Sequence, residues 1–234
     1  EVGHAPETVV KWLSLYLAES EHALHHAADV PEMLILDGPL YPKQLVRWAT
    51  RHGDLAALVA DESRVRTVVE NYLLLVERFV ERGVPLVGFV KGARSRALVT
   101  ALQDRIATPW VNDLSLFARI LGRPGPDEAA PEDLRWTNWF VSRLGADGAF
   151  DRDAEVGVRR ERAPEEYEVA FFVVYDPRTD LAFKVELPAA FARDADTREA
   201  VQRHVLREVA AEAGPPTAVA KADSLARVGR AEKE

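Results

Sequence analysis

Residues 169–187 contain the clearest β-hairpin pattern of the chain. The run VAFFVVY at 169–175 is continuously apolar, as in a central strand that is buried on both faces. The segment DPRTD at 176–180 supplies turn residues, and apolar and polar residues then alternate from Leu181 to Leu187, which is typical of a half-buried strand. Two strands joined by so short a turn are antiparallel. The chain therefore folds around a sheet with at least one antiparallel pair.

Two more apolar segments, at 33–36 and 84–90, each end in a charged residue followed by glycine. The first ends at Asp37 and the second at Lys91. We interpret both as buried strands that break into turns, and strand ends are where a rigid sheet presents side chains to ligands. The simpler explanation for Asp37 is that it caps the next helix.

Helical patterns fill most of the remaining chain. The apolar spacing predicts helices over residues 6–28, 42–52, 63–82 and 114–121, from about residue 97, over 197–213, and from about residue 218. Residues 122–132 read as a loop, and 145–165 as a polar surface excursion. Strands and helices together predict an α/β protein with a mixed sheet flanked by helices.

The helix predicted over 6–28 carries an acidic residue on its apolar stripe. Glu21 follows Leu17 by four positions and precedes Leu24 by three, whereas Glu19 points elsewhere. A buried carboxylate is costly unless it is paired or binds a metal ion. The alternative is an acid at the rim of that face.

Three cations lie around a glycine turn after the second strand segment. Lys91, Arg94 and Arg96 suit a loop that contacts phosphate, although a solvated basic turn also explains them. Asp113 lies before a helix, where it or Asn112 can serve as the N-cap.

The composition of the chain limits the kinds of metal site and of partner that are possible. The 234 residues include no cysteine, so disulfides and thiolate metal sites are excluded, and a metal held by carboxylates or histidines would be Mg²⁺ or Mn²⁺. No run approaches the roughly 18 apolar residues of a membrane helix, and we expect a cytoplasmic protein without a membrane partner. The net charge of -8 argues against a non-specific coat on nucleic acid but leaves room for a local basic groove.

Several blocks, taken in order, resemble the NurA nuclease family. An acid-bearing helix precedes the matching segments LILDGPL, VPLVGFVKGARSRAL, WVNDLSLFARILG, FFVVYDPRTDLAFKVELP and GPPTAVAKADSLARV. Their order and spacing match across nearly the whole chain, so we expect one nuclease domain over residues 1–234.

The resemblance implies a ribonuclease-H-like fold and a DNA nuclease that depends on Mn²⁺ or Mg²⁺. Proteins of this family act as single-strand endonucleases and 5′-to-3′ exonucleases in the end resection of DNA double-strand breaks. They form homodimers that dock on a hexameric ATPase of the HerA type. These properties are what the resemblance leads us to expect of this chain.

The resemblance also implies site residues. Asp37 matches the aspartate of a D-G-S-L-like motif, with Pro39 in place of serine. The metal ligands and catalytic acids would be Asp37, Glu21 (or Glu19) and Asp113, and the catalytic Lys91 would contact the scissile phosphate. Arg94 and Arg96 would contact the DNA backbone. Asp223 lies at a position where the family carries His or Asp.

One departure from the family favours a different class of function. The family carries an earlier aspartate in a V-D-G-S-like strand, and residues 1–18 contain no replacement, so we expect a domain truncated at its N-terminus. The alternative function is a non-catalytic module that docks on or regulates a DNA-translocating ATPase. A different ribonuclease-H-fold enzyme, acting on RNA or in transposition, is less favoured because the hairpin and the C-terminal block resemble NurA.

Overall fold

A mixed sheet of six strands forms the centre of the molecule. The computed structural model describes residues 6–42, 63–92, 97–102, 112–123, 132–142, 162 and 164–226. The strands are β1 Leu34–Leu36, β2 Leu86–Val90, β3 Arg135–Trp136, β4 Phe140–Ser142, β5 Val169–Asp176 and β6 Leu181–Pro188. Their order across the sheet is β1-β2-β6-β5-β3, and β4 also pairs with β5.

Helices cover both faces of this sheet. They are α1 Pro6–His25, α2 Ser63–Arg82, α3 Ala97–Leu102, α4 Asp113–Leu121, α5 Ala189–Arg193, α6 Ala195–Glu212 and α7 Thr217–Ala226, with short 3-10 helices at Ala27–Asp29 and Pro164–Tyr167. Within the described ranges, none of the helices combines the length and the apolar character that crossing a bilayer requires.

The pairing of the strands confirms the predicted mixed sheet. β5 and β6 form the antiparallel hairpin, with Val174 opposite Phe183, and β6 also pairs antiparallel with β2. β1 and β2 are parallel, with Leu36 opposite Gly88. The architecture is consistent with the ribonuclease-H-like fold that the resemblance implies.

The two faces of the sheet carry different helices. Alternate residues of a strand point to opposite faces. Leu36 and Leu86 pack with α1 and α2, and Val173 packs with α4 on that same face. On the other face Phe89 and Val185 pack in one cluster with α6 and α7. Both faces of the sheet are therefore covered.

The sequence-based predictions differ from the structure at a few elements. α1 ends at His25, three residues before the predicted boundary, and its chain continues as a 3-10 helix. The prediction that β6 is half-buried is wrong, because helices cover its second face and Glu186 is only 3% exposed. The helix predicted over 42–52 and most of the excursion at 145–165 lie outside the described residues.

Candidate active site

Lys91 joins two carboxylates at the edge of the sheet. Its Nζ donates a hydrogen bond to Oδ2 of Asp37 at 2.9 Å and another to Oδ2 of Asp223. Asp37 directly follows β1, Lys91 directly follows β2, and Asp223 lies in α7. The exposed fractions of the three side chains lie between 29% and 41%. The cluster of these three side chains, called the Lys91 cluster below, is thus open to solvent.

The parallel pairing of β1 and β2 brings Asp37 and Lys91 together. Because the strands run in the same direction with Leu36 opposite Gly88, their C-terminal ends lie at one edge. Asp37 is two residues after Ile35, and Lys91 two after Phe89, both of which pack on the α6 and α7 face. α7 also contacts β1, which places Asp223 over the same edge.

Gly88 in β2 allows the turn after β1 to lie directly over the strand. A Cβ at this position would be 2.9 Å from the carbonyl oxygen of Gly38 and 2.9 Å from the backbone nitrogen of Leu40. Both are backbone atoms of the turn that begins at Asp37, so neither can rotate away. The absence of a side chain at Gly88 therefore sets the height of this turn above the sheet.

A buried ion pair fixes the same turn from the neighbouring strand. The backbone N–H of Leu40 donates to Oε2 of Glu186 at 2.9 Å, and Oε1 of Glu186 accepts from Nζ of Lys184 at 2.7 Å. This role of Glu186 was not predicted from the sequence. Its only signal was an oppositely charged residue two positions earlier on the same strand, a pattern that solvated strands share.

The placement of Glu21 on the buried face of α1 was predicted wrongly. Glu21 is exposed in the structure. The buried side of α1 passes through Leu13 and Ser20, and it continues to Ala27 in the following 3-10 helix. Ser20 takes the central position because its hydroxyl accepts a hydrogen bond from Nδ2 of Asn71 in α2 at 3.1 Å. Glu21 lies one position further round the helix, toward solvent.

Glu19, the predicted alternative to Glu21 as the acidic site residue of α1, faces the protein. Oε2 of Glu19 accepts a hydrogen bond from the hydroxyl of Tyr72 at 3.0 Å. The charge of Glu19 also interacts with that of Asp37. Of these two acids, Glu19 therefore faces the protein and interacts with the charge of Asp37, whereas Glu21 faces solvent.

Burial and mutual repulsion shape the charges of this region. Burial raises the pKa of Glu19, the hydrogen bond from Tyr72 acts in the opposite direction, and the charge of Asp37 raises it further. The pKa of Asp37 is also raised: burial is the largest cause, the hydrogen bond and the charge of Lys91 act in the opposite direction, and Asp223 adds to the rise. Burial disfavours the charged form of Lys91, but its hydrogen bonds to Asp223 and Asp37 outweigh this and raise its pKa. Lys91 is therefore a cation at neutral pH.

Asp113 lies in the first turn of α4 and binds a neighbouring helix. Its Oδ1 accepts the backbone N–H of Val99 in α3 at 2.9 Å. Of the two predicted caps, Asn112 is the one observed, because its Oδ1 accepts the backbone N–H of Ser115 at 2.8 Å. α4 packs on the sheet face opposite α6 and α7, and the hydrogen bonds of Lys91 do not include Asp113. The structure does not join Asp113 to the Lys91 cluster.

Arg94 and Arg96, the predicted contacts to the DNA backbone, lie outside the described residues. Their role stays a prediction.

The acidic side chains near Lys91 have the chemistry of a divalent-cation site. Carboxylate oxygens are the ligands that Mg²⁺ and Mn²⁺ prefer, and Asp37 and Asp223 direct one oxygen each at a single cationic atom. The charge of Asp37 raises the pKa of Glu19, the third acid of this region. Within the part of the chain that the structure describes, no three acidic or histidine side chains are grouped closely enough to form a metal cluster. The donor set fits a cation in chemistry, with two carboxylates converging.

A comparison with models of protein families gives one match across this fold. The model of the NurA domain matches residues 5–228, which is almost the entire chain of 234 residues. No curated protein and no solved structure matches the chain significantly. The match covers every strand and helix that contributes to the Lys91 cluster.

Proposed function

We propose that this chain, which belongs to the NurA family of DNA-end-processing nucleases, hydrolyses phosphodiester bonds of DNA at the Lys91 cluster. The observation that carries the proposal is the convergence of Asp37 and Asp223 on Lys91 at the C-terminal ends of two parallel strands. Strand ends of this kind present fixed charges to a ligand while the following turns leave it room.

Lys91 supplies positive charge for the phosphate. Two carboxylates hold its ammonium group in place, and they also keep it protonated, as the raised pKa indicates. A lysine held in this way stabilises the negative charge that develops on the phosphate oxygens during hydrolysis, and it does so without reorganising.

Asp37 and Asp223 are the residues that would hold a divalent cation, Mn²⁺ or Mg²⁺, and Glu19 is a further acid that we assign to this region, outside the pair of ligands. When bound, such a cation activates water and neutralises charge on the leaving oxygen. Glu19 replaces Glu21 in this assignment because of its inward position and its interaction with Asp37. Asp113 is left out of it because its observed contact is with α3.

We base the more specific assignments of activity, oligomeric state, partner and location on membership of the family. We assign the chain the activities of a single-strand endonuclease and a 5′-to-3′ exonuclease in the resection of double-strand breaks. We further assign it a homodimeric state, docking on a HerA-type hexameric ATPase, and a cytoplasmic location. The match to the NurA domain supports these assignments as a group.

The substitution Asp37→Asn tests the proposal directly. We expect Mn²⁺-dependent cleavage of a labelled single-stranded oligonucleotide to fall by roughly 100-fold or more, because the carboxylate that positions the Lys91 ammonium group and would hold the cation is removed. The matched control is Asp29→Asn, an exposed aspartate whose partner is His26. The control should cleave at the wild-type rate, and both variants should keep the wild-type circular dichroism spectrum. Wild-type cleavage by a folded Asp37→Asn variant would refute the assignment.

The second candidate function is a non-catalytic module that docks on an ATPase. The observation that favours it is that the two carboxylates already neutralise Lys91 and that no three-ligand cluster is formed among the described residues. Failure of the wild-type chain to cleave DNA with either Mn²⁺ or Mg²⁺, together with binding to a HerA-type ATPase in sedimentation, would support this alternative.

A further inference from the structure

An open groove of about 950 Å³ lies between α6 and the segment that carries β3. Its walls differ in character. Tryptophans 136 and 139 line one side, and arginines 198, 203 and 207 of α6 line the other. We call this feature the Trp136 groove. It shares no lining residue with the Lys91 cluster.

The two tryptophans of the groove differ in their contacts and in their exposure to solvent. Trp139 is fixed, since its Nε1 donates to Oε1 of Gln202 at 2.6 Å and its ring lies 4.8 Å from that of Phe172. Trp136 remains 48% exposed. A large aromatic ring held at a sheet edge with half its surface in water can accept a planar ligand by stacking.

The arginines give the groove a basic wall. Arg203 and Arg207 are exposed and stand four residues apart in α6, which corresponds to about 6 Å along the helix axis. Neither forms a hydrogen bond or an ion pair with any residue that the structure describes. Asp133 and Glu199 also line the groove, so three arginines face two carboxylates. This is a local excess of positive charge in a chain with a net charge of -8.

The groove opens at the same end and on the same face of the sheet as the Lys91 cluster. Trp136 is opposite Val174, and Val174 is opposite Phe183, both of which pack on the α6 and α7 face. The residue after Phe183 is opposite Val90, the last residue of β2 before Lys91. Trp136 and Lys91 are therefore three strand positions apart along the sheet order, or about 14 Å at the usual spacing of strands.

We propose that the Trp136 groove binds single-stranded DNA and guides the strand toward the Lys91 cluster. Exposed bases stack on aromatic rings, and arginines neutralise the phosphates beside them, whatever the base sequence. Double-stranded DNA offers no exposed base face to Trp136. The guiding role rests on the proposed nuclease function, whereas the binding itself does not.

The test measures binding without cleavage. A fluorescein-labelled oligothymidylate longer than about 16 nucleotides, the upper site size of a single-strand binding fold, is titrated with the 234-residue chain in EDTA. Trp136→Ala should raise Kd about tenfold, because one stacked base is lost. Trp136→Phe should keep most of the affinity, which separates stacking from folding effects. Trp12→Ala, at a tryptophan 45% exposed on α1, is the matched control and should bind as the wild type does.

The arginines are tested by the salt dependence of binding. The double variant Arg203→Ala with Arg207→Ala should lower the slope of log K against log salt by about 1.4, since each phosphate contact of a single strand contributes about 0.7. Arg119→Ala, at an exposed position of α4, should leave the slope unchanged. Thermal unfolding monitors the fold of every variant.

Two results would overturn the proposal. One is wild-type affinity and salt slope in the Trp136→Ala variant and in the double arginine variant. The other is unchanged affinity together with altered self-association in sedimentation, which would make the groove a contact between copies of the chain. Because no catalysis is needed, either result leaves the Asp37 test of nuclease function standing, and a negative Asp37 test leaves the binding result standing.

Discussion

At the scale of single residues, Glu19 and Glu21 have the same side chain but differ in burial and in contacts. They stand two positions apart on α1, yet Glu19 accepts a hydrogen bond from Tyr72 and senses the charge of Asp37, while Glu21 is exposed. Spacing along the helix could not distinguish them, because the choice depends on which flank packs against α2. That flank is set by residues more than fifty positions away.

We expect Glu19→Gln and Glu21→Gln to differ in activity. Loss of the Glu19 charge, which interacts with that of Asp37, should reduce Mn²⁺-dependent DNA cleavage by roughly 10- to 100-fold, as for a group next to the ligands, whereas Glu21→Gln should retain wild-type rates. Initial rates on a single-stranded oligonucleotide provide the measurement. If only Glu21→Gln lost activity, the acid of α1 in the active site would be Glu21, as first predicted from the sequence, and not Glu19.

Gly88→Ala should destabilise the protein and impair the Lys91 cluster. The new Cβ would meet two backbone atoms of the turn after β1 at 2.9 Å, so the turn must move. Overpacking of this kind costs about 1–3 kcal/mol in the free energy of unfolding. Urea denaturation would measure the loss, and cleavage assays its effect on Asp37.

The control for this substitution is Gly92→Ala, where a Cβ meets nothing within 4 Å. It should change stability by less than about 0.5 kcal/mol. Equal effects of the two substitutions would show that the close approach at Gly88 is not the cause.

At the scale of elements, the turn between β5 and β6 is joined to the end of α6 by one arginine. Arg178 forms an ion pair with the buried carboxylate of Asp176 at 2.7 Å. Its guanidinium also donates to the carbonyl oxygens of Val209 at 3.1 Å and Ala210 at 2.8 Å, near the C-terminus of the helix. The hairpin and α6 are thus held together by hydrogen bonds as well as by apolar packing.

Arg178→Ala should therefore lower stability in a pH-dependent way. The hydrogen bond from Arg178 holds the pKa of Asp176 below its ordinary value. A lowered pKa in the folded state contributes stability that is complete above about pH 4, the unfolded value, and is lost as the pH falls through the folded value. We expect a loss of stability at pH 7 that shrinks below pH 4.

Urea unfolding of both proteins between pH 7 and pH 2.5 would test this expectation. Arg193→Ala is a suitable control, because Arg193 is 61% exposed and lies 3.7 Å from Glu168. Its effect should stay below about 0.5 kcal/mol at every pH. A deficit in Arg178→Ala that does not change with pH would assign the effect to the backbone contacts alone.

The elements were more predictable than the side chains they position. The hairpin followed from residue periodicity, and so did the long helix at Ser63–Arg82, because burial of one face leaves a period in the sequence. The burial of Glu186 left no such trace. Its environment is set by the turn at Leu40, which is 146 positions away along the chain.

At the scale of the whole molecule, the Lys91 cluster and the Trp136 groove share one end of the sheet. The distance of about 14 Å between Lys91 and Trp136 corresponds to roughly four nucleotides at the 3.4 Å per nucleotide of a stacked strand. Only a longer strand can occupy both sites at once.

We therefore expect the effect of Trp136→Ala on cleavage to depend on substrate length. The variant should raise KM for oligonucleotides longer than about four nucleotides and leave KM unchanged for shorter ones. Steady-state kinetics on a length series would measure this. An equal rise in KM for trinucleotides would show that the substitution disturbs the Lys91 cluster itself.

The positions of two residues of the candidate site were predictable from the arrangement of the whole sheet. Asp37 and Lys91 follow apolar strands, and the parallel pairing of those strands places both at one edge. Asp223 lies in a helix with no distinguishing pattern, and only the resemblance to a family pointed to it. Its contact with Lys91 depends on how α7 docks on the sheet, which local sequence does not encode.

The contact between Lys91 and Asp223 has a consequence for synthesis on the ribosome. The two residues are 132 positions apart, whereas Lys91 and Asp37 are 54 apart. At 5–20 residues per second, the interval between the emergence of Lys91 and that of Asp223 is roughly 10 s. During that time a nascent chain can pair Lys91 with one carboxylate only. A ribosome that stalls before residue 223 carries a polypeptide without the second carboxylate, so the proposed nuclease centre is completed only after residue 223 has been synthesised.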